Sequence, residues 1–223
     1  MTTQTKTVNL TICRHGQTDA NLKHIVHGWT NTPLNETGLT QAEAAGKALK
    51  DVKFHQAYSS DLQRAKKTCQ LILEENQKSS ISVENIKQNK LLREKNFGVS
   101  EGQSSEGWKE EDWKKTHENG ESIETMNNRV KEFLEDTLVK DCAGIDQDCP
   151  SILIVTHGGF IIRLFSLIFD QMKYCAKLPD LDYTKQPNTS YSKFKVEICM
   201  KNHVIKTMEC QDVFNSAHLE NLK

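Results

Sequence analysis

Short apolar runs alternate with longer amphipathic stretches along the chain. Ser151–Val155 is apolar after its first residue and lies between Pro150 and Gly158, which is typical of a strand covered on both faces. Val8–Cys13 and His55–Ser59 are two further runs of strand length. The pattern therefore predicts three strands, two in the first third of the chain and one in its last third.

Between these strands, apolar residues recur at helical spacing. Thr37 can cap a helix that runs to Leu49, and Leu62–Glu75 carries its apolar residues on one side. Phe160–Phe169 has the composition of a buried helix. Ser122 can cap a further helix, whose apolar stripe consists of Ile123, Met126, Val130, Phe133 and Leu134.

The end of the chain has a different, two-residue period. Apolar residues alternate with polar ones at Phe194, Val196, Ile198 and Met200, and His203–Met208 is a second strand-like run. Together they predict a C-terminal antiparallel hairpin. Strands that alternate with helices and end in such a hairpin favour an α/β sandwich on a mostly parallel sheet. The polar segments Glu101–Gly107 and Asp141–Pro150 are predicted to be loops.

Composition narrows the functional classes. Lys plus Arg number 29 and Asp plus Glu 30, so a net charge of −1 argues against a general binder of nucleic acid. The seven cysteines show neither C-x-x-C nor a zinc-ligand spacing, and are expected to be free thiols in a reducing compartment. Met1–Lys6 has no apolar signal-like segment, and no run approaches the length of a membrane span. We therefore expect a cytoplasmic protein with no membrane partner.

Chemistry-bearing residues follow three of the predicted strands. Arg14 and His15 come directly after the first strand, Arg64 shortly after the second, and His157 after the late one. Glu94 lies between the second and the late strand. Because ligands bind beyond the carboxyl ends of strands in such sheets, these five side chains are expected to meet at one sheet edge.

This set suits a phosphoryl group, whose negative charge is spread over three oxygens. Arg14 and Arg64 each offer a planar fork of donors that stays charged. His157 can add a third donor, and the N–H of Gly158, at the start of the following helix, a fourth. A glycine at Gly16 is expected to let the backbone approach the phosphate closely.

His15 is the candidate nucleophile. Neighbouring arginine charges disfavour imidazolium, which lowers the pKa of His15 and keeps a nitrogen lone pair free. Glu94 can protonate the leaving oxygen and then activate a water molecule. The arginines and His157 supply the charge stabilisation that a metal ion would otherwise give, so we expect no metal and no cofactor.

Each of these residues taken alone has a commoner structural explanation, and only their joint order favours function. His55, His117 and His203 are expected to be surface or packing residues. Several other residues leave two interpretations open. Lys23, His27 and Trp29 can contact a second anionic group or form a solvated loop, and Trp108 and Trp113 can belong to a mobile cover helix that closes over substrate.

The joined motifs resemble the histidine phosphatase superfamily, in its phosphoglycerate-mutase-like branch. They are Leu10–Thr18, Ser59–Ala65, Leu92-Arg93-Glu94 and Thr156–Gly159, with landmarks at Pro33–Ala42, Asn119–Ser122, Asn188–Ser190 and Ala217–Leu219. The resemblance implies a single domain over 1–223, a three-layer fold with helices on both faces of the sheet, and a lid insertion around 100–120. It implies that His15 is the nucleophile, that Arg14, Arg64 and His157 bind phosphate, and that Glu94 is the acid and base. It further implies substrate contacts at Gln17, Asn21, Gly28, Gly158 and Asn188.

Within this branch, two observations favour hydrolysis over mutase chemistry. The segment that follows Glu94 departs from the mutase pattern, and Glu101–Asn119 contains no arginine to hold a glycerate. The run Arg93–Gly102 looks most like the TIGAR-type fructose-2,6-bisphosphatases, whereas His117–Glu121 and Asp141–Pro150 depart from them. The predicted function is therefore metal-independent hydrolysis of a small phosphorylated metabolite, with fructose 2,6-bisphosphate as best candidate.

Two alternatives stay open. One is a phosphoglycerate mutase or a phosphatase of glycerate phosphates. The other is an inactive family member that only binds a phosphorylated ligand. The sequence makes no prediction of the oligomeric state.

Overall fold

The computed structural model describes residues 5–175 and 186–222, and its centre is a six-stranded sheet. The strand order is β3-β2-β4-β1-β5-β6, in which β3, β2, β4 and β1 are parallel, and β5 runs antiparallel to both β1 and β6. The strands are β1 (Thr5–Arg14), β2 (Phe54–Ser59), β3 (Lys87–Gln88), β4 (Ser151–Thr156), β5 (Tyr191–Cys199) and β6 (Val204–Asn215).

Helices connect the strands. They are α1 (Asp19–Leu22), α2 (Glu36–Ala48), α3 (Gln63–Glu75), α4 (Glu110–Lys114), α5 (Ile123–Glu132), α6 (Val139–Gly144) and α7 (Gly158–Ser166). π-helical turns at Phe133–Leu138 and Leu167–Gln171 extend α5 into α6 and lengthen α7. Short 3₁₀ turns occur at Val83–Asn85, Lys90–Leu92, Gly98–Ser100 and Ala217–Leu222. Among the described residues, no helix combines the length and the apolar composition needed to span a lipid bilayer.

The sheet separates two apolar cores. Alternate residues of β4 face opposite sides: Ile152 and Ile154 belong to the core under α5 and α7, whereas Leu153 and Val155 belong to the core under α2 and α3. This alternation follows from the two-residue period of a strand, and it explains why the run is apolar on both faces. The predicted three-layer sandwich with a C-terminal antiparallel hairpin is thereby confirmed.

Three details differ from the expectations. Asn35, not Thr37, caps α2, because its side chain accepts the Gly38 N–H at 2.9 Å. The first four residues of the predicted loop Asp141–Pro150 lie in α6, which continues from the preceding turn. The final strand extends to Asn215, well beyond the predicted Met208, because β6 pairs along the whole of β5.

Candidate active site

His15 lies one residue beyond β1 and is 3% exposed. Its backbone N–H donates to the Thr156 carbonyl at the end of β4, at 2.9 Å, so the two parallel strands hold it in place. The ring nitrogen Nδ1 lies 2.7 Å from the Gly16 carbonyl oxygen. Since a carbonyl oxygen only accepts, Nδ1 carries the proton and Nε2 keeps its lone pair.

The surroundings of His15 keep the ring uncharged. Burial lowers the pKa of His15 well below its ordinary value, and the positive charges of Arg64 and Arg14 lower it further. A neutral imidazole with a defined tautomer has the electronic form that a nucleophile requires.

The two arginines are anchored by the backbone rather than by carboxylates. Arg64 donates to the carbonyl oxygens of Gly28 and Thr30, both at 2.8 Å, and Arg14 donates to that of Gln186. Neither guanidinium forms an ion pair with a carboxylate of the described residues. The Nε atoms of both arginines are buried and have no hydrogen-bond partner among the described residues. Unpaired buried donors of this kind are costly unless an anion completes them.

His157 completes the ring of donors. It is 0% exposed, and its ring centroid lies 5.1 Å from that of His15. Neither of its ring nitrogens has a partner among the described residues. Burial and the charge of Arg64 hold the pKa of His157 well below its ordinary value. His157 also occupies the N-cap position of α7, where its side chain forms no capping hydrogen bond.

The Glu94 carboxylate lies against the start of α7. Its Oε2 accepts the Gly159 N–H at 3.0 Å, and its Oε1 accepts the Lys95 N–H at 2.7 Å. A Cβ at Gly159 would lie 2.1 Å from Oε1, so a glycine is required for this approach. The carboxylate is close enough to contribute to the charge balance of both Arg14 and Arg64.

Gly16 has a packing role that the sequence did not predict. A Cβ at this position would lie 2.5 Å from the Gly38 carbonyl oxygen, so the glycine allows the nucleophile loop to pack on the first turn of α2. The Gly16 N–H donates to the Thr68 hydroxyl at 2.9 Å, and that hydroxyl donates to the Arg64 carbonyl at 2.7 Å. Gly16 thus meets a packing requirement, and close approach of its backbone to phosphate stays a prediction.

The structure places the five predicted substrate contacts around the same loop. Gly158 is the first residue of α7, and a Cβ there would lie 3.5 Å from Arg14 Nε. Asn188 donates to the His15 carbonyl at 3.0 Å and to the Asn21 side-chain oxygen at 3.3 Å.

The remaining members of that set also have internal partners. Asn21 caps α1 together with Thr18, and the Gln17 side-chain oxygen accepts from Asn35 at 3.1 Å. Gly28 has a φ of 51° and gives its carbonyl to Arg64. Contact with substrate at these positions stays a prediction.

His27, for which the sequence left open contact with a second anionic group or a solvated loop, lies close to His15. Its ring centroid lies 6.1 Å from that of His15, and its Nε2 pairs with the Thr18 hydroxyl. Burial and the arginine charges lower the pKa of His27 to about 3. The signal for this placement in the sequence was that His27 follows shortly after His15.

Arg129 is a residue of this region that the sequence motifs did not indicate. It lies between Met126 and Phe133 at helical spacing, inside the apolar stripe of α5, and is 9% exposed. An arginine on the buried face of a helix was the signal that could have identified it. Its guanidinium contacts the backbone on which Glu94 is carried.

The segment around 100–120 packs on Phe97. Trp108, Trp113 and His117 surround that ring with centroid distances between 5.4 and 5.9 Å. Lys95, which is 2% exposed, donates to the carbonyl of Trp113 at 2.8 Å and to that of Lys115 at 2.6 Å. His117 is thus a packing residue, as expected, and a lid role for this segment stays a prediction.

These positions define a class of chemistry. A neutral imidazole with a free lone pair faces buried, unpaired cationic donors, and a carboxylate lies beside them. Such a set is suited to phosphoryl transfer through a covalent histidine intermediate.

Comparison with known proteins places the chain in a family. A profile described as the histidine phosphatase superfamily (branch 1) matches residues 10–206. The chain therefore belongs to the histidine phosphatase superfamily. Membership supports a phosphatase or mutase activity through a phosphohistidine.

Relatives of both activities are similar to the chain. Fructose-2,6-bisphosphatase TIGAR B of Danio rerio is 32% identical, with 97% of this chain and 98% of that protein covered. A 2,3-bisphosphoglycerate-dependent phosphoglycerate mutase of Rhizobium meliloti (strain 1021) is 33% identical over 73% of this chain and 80% of that protein. The crystal structure of a phosphoglycerate mutase from Bacillus anthracis str. Sterne superposes with a TM-score of 0.75, at 25% identity and 98% coverage of both chains.

Proposed function

We propose that the protein is a metal-independent phosphomonoester hydrolase that acts on small phosphorylated metabolites through a phosphohistidine at His15. The observation that carries the proposal is a group of buried polar atoms around a neutral His15: the Nε atoms of Arg14 and Arg64 and the ring nitrogens of His157. None of these atoms has a hydrogen-bond partner among the described residues. A phosphoryl dianion would satisfy these donors and offset the charge of both guanidinium groups.

In the first step, His15 Nε2 attacks phosphorus. The N–P bond forms with the nitrogen lone pair as the P–O ester bond breaks, and Glu94 gives its proton to the leaving alkoxide. Arg14, Arg64 and the His157 donor stabilise the charge that develops on the phosphoryl oxygens.

In the second step, water attacks the phosphohistidine. Glu94, now ionised, takes a proton from the water as its oxygen bonds to phosphorus, and the N–P bond breaks. His15 regains its lone pair and inorganic phosphate is released. One carboxylate thus serves as acid and then as base.

Metal independence follows from the charges around the pocket. Two guanidinium groups beside His15 would repel a divalent cation and already supply positive charge to the phosphoryl oxygens. We expect activity to survive a chelator.

Fructose 2,6-bisphosphate is the best single substrate candidate. The segment 101–119, which packs beside the site through Phe97, carries no arginine that could hold a glycerate. The relative from Danio rerio bears the name of a fructose-2,6-bisphosphatase and covers nearly all of the chain. We propose that segment 100–120 acts as a lid over this substrate.

A mutase, or a phosphatase of glycerate phosphates, is the second candidate. It is favoured by the similarity to the phosphoglycerate mutase of Rhizobium meliloti. A mutase returns the phosphoryl group to its substrate and yields an isomer, whereas a phosphatase yields inorganic phosphate.

We also propose a cytoplasmic location. All seven cysteines are unpaired, and four of them are buried. Free thiols persist in a reducing compartment, where small phosphorylated metabolites are also found.

The decisive experiment traps the intermediate. Wild-type protein is quenched during turnover of ³²P-labelled substrate, and we expect acid-labile phosphate on His15. His15→Ala should show neither the label nor hydrolysis, and residual hydrolysis by this variant would contradict the mechanism. Binding of substrate without label or product would indicate an inactive, ligand-binding member.

The same preparation identifies the substrate. Fructose 2,6-bisphosphate, 3-phosphoglycerate and 2,3-bisphosphoglycerate are assayed with EDTA present, and products are separated by chromatography. Release of inorganic phosphate from fructose 2,6-bisphosphate supports the proposal. An isomerised glycerate phosphate would support the mutase instead, and loss of activity with EDTA would contradict metal independence.

A further inference from the structure

The Arg129 guanidinium uses all five of its N–H donors on the segment that carries Glu94 and on one carboxylate. The side chain is only 9% exposed, so these donors have to be satisfied inside the protein. The partners are the carbonyl oxygens of Leu91 (2.8 Å), Arg93 (2.6 Å) and Glu94 (2.9 Å), and the carboxylate of Glu121 (2.6 and 3.0 Å).

Glu121 extends this grip to the other side of Glu94. Its Oε1 accepts the Asn96 N–H at 2.8 Å, so the ion pair with Arg129 holds the backbone both before and after Glu94. The indole N–H of Trp29 donates to the same Glu94 carbonyl at 2.8 Å. Neither Arg129 nor Glu121 hydrogen-bonds to the described phosphate-pocket residues Arg14, Arg64 or His157.

We infer that Arg129, paired with Glu121, is a positioning residue that sets where the Glu94 carboxylate stands for proton transfer. This inference rests on the proposed function, in which Glu94 is the acid and base. The geometry supports it because three carbonyl acceptors at positions 91, 93 and 94 converge on one planar cation. A lysine keeps the charge, but its single nitrogen cannot match that fork.

The expected effect follows from the sensitivity of proton transfer to distance. A displacement of about 1 Å from the productive geometry costs on the order of 100-fold in rate. Loss of the Arg129 fork should therefore weaken acid catalysis while phosphate binding stays intact. Because Arg129→Lys preserves the positive charge near His157, a loss in this variant reports geometry and not charge.

The test compares two substrates that differ in their need for a proton. β-Glycerophosphate releases a basic alkoxide, whereas p-nitrophenyl phosphate releases a stable anion that departs without one. We measure kcat/KM, which covers the steps up to release of the alcohol, for wild type, Glu94→Gln, Arg129→Lys and Glu121→Gln. Val130→Ala, which removes buried volume next to Arg129 on the same helix, is the control for destabilisation.

We expect Glu94→Gln to lower kcat/KM for β-glycerophosphate about 100-fold or more, and much less for p-nitrophenyl phosphate. Arg129→Lys should show the same selective loss, about 10- to 100-fold, with a change of less than about threefold on the aryl ester. Added to Glu94→Gln, it should cause no further selective loss. Val130→Ala should affect both substrates equally.

Other outcomes separate the two proposals. Suppose that Glu94→Gln lowers kcat/KM selectively for β-glycerophosphate, but Arg129→Lys lowers it equally for both substrates or for neither. This result overturns the positioning role of Arg129 and leaves the proposed function standing. If Arg129→Lys does not fold, the same test is made with Glu121→Gln, by the ratio of its kcat/KM values for the two esters. A wild-type protein that hydrolyses neither ester nor any phosphate assayed above removes both proposals.

Discussion

Arg64 is a cation without exposed surface and without a carboxylate partner among the described residues. Burial lowers the pKa of Arg64 to about 10, yet the group stays charged at neutral pH. Its carbonyl contacts with Gly28 and Thr30 satisfy two of its donors and leave Nε for another group. Arg64 is therefore available to bind an anion, and anion binding can be measured without turnover.

Arg64→Met should abolish stabilisation by a phosphate mimic. Orthovanadate at about 100 times its dissociation constant should stabilise the wild-type protein by about 2.7 kcal/mol. The variant should show almost no shift of its thermal midpoint. Arg93→Met is the control, because Arg93 is engaged by Asp61 at 2.7 Å and should keep the vanadate response. An equal response in both variants would contradict the assignment of Arg64 to the anion pocket.

The segment that follows β1 depends on α3 for its shape. One hydroxyl, that of Thr68, accepts the Gly16 N–H and donates to the Arg64 carbonyl, so it joins the nucleophile loop to the helix that carries Arg64. Thr68 is 0% exposed, so no water can replace these contacts. The Thr68 hydroxyl thus fixes the position of His15, in the segment after β1, relative to Arg64 on α3.

Thr68→Val should separate packing from hydrogen bonding. Valine has a similar shape but leaves the buried Gly16 N–H unpaired, which costs about 1–3 kcal/mol in the free energy of unfolding. We expect kcat/KM to fall as the loop shifts. Thr68→Ser keeps the hydroxyl and should retain most activity. Urea denaturation and steady-state kinetics measure both effects, and equal activity in the two variants would contradict the role of this hydrogen bond.

At the scale of the whole molecule, two buried histidines and the half-buried His27 share one electrostatic environment. Burial and neighbouring arginines lower the pKa values of His15, His157 and His27. The folded protein therefore binds fewer protons than the unfolded chain, in which a histidine titrates near about 6.5. Stability from these groups is present above that pH and is lost as the pH falls below it.

The free energy of unfolding should fall by about 1.4 kcal/mol per histidine with a lowered pKa between about pH 7.5 and 5.5. His27→Asn removes one such group, so its pH dependence should be weaker than that of wild type by about that amount. Chemical denaturation at both pH values measures the difference between the two proteins, in which the contribution of the carboxylates cancels. A parallel pH dependence would show that His27 has the same pKa in the folded and unfolded states, which would contradict the prediction.

Local sequence was sufficient for five of the six strands, for the longer helices and for the five central side chains. It did not predict the two-residue strand β3 or the short helix α1. The spacing of apolar residues along a strand or helix follows from which of its faces are buried. For this reason β1, β4 and α3 could be predicted from apolar positions alone. The order of Arg14, His15, Arg64, Glu94 and His157 relative to the strands predicted their meeting, because parallel strands bring their carboxyl ends together. The structure does bring these five residues to one sheet edge.

Other features depend on contacts between residues far apart in the chain. Arg129 meets the carbonyl of Leu91, 38 positions away, and Gly16 is required by the Gly38 carbonyl, so neither role leaves a local pattern. The sequence by itself determined the sandwich and the residue types of the site. The tertiary structure alone decided which donors stay unpaired and what holds Glu94, because hydrogen-bond satisfaction is settled only once distant segments are packed together.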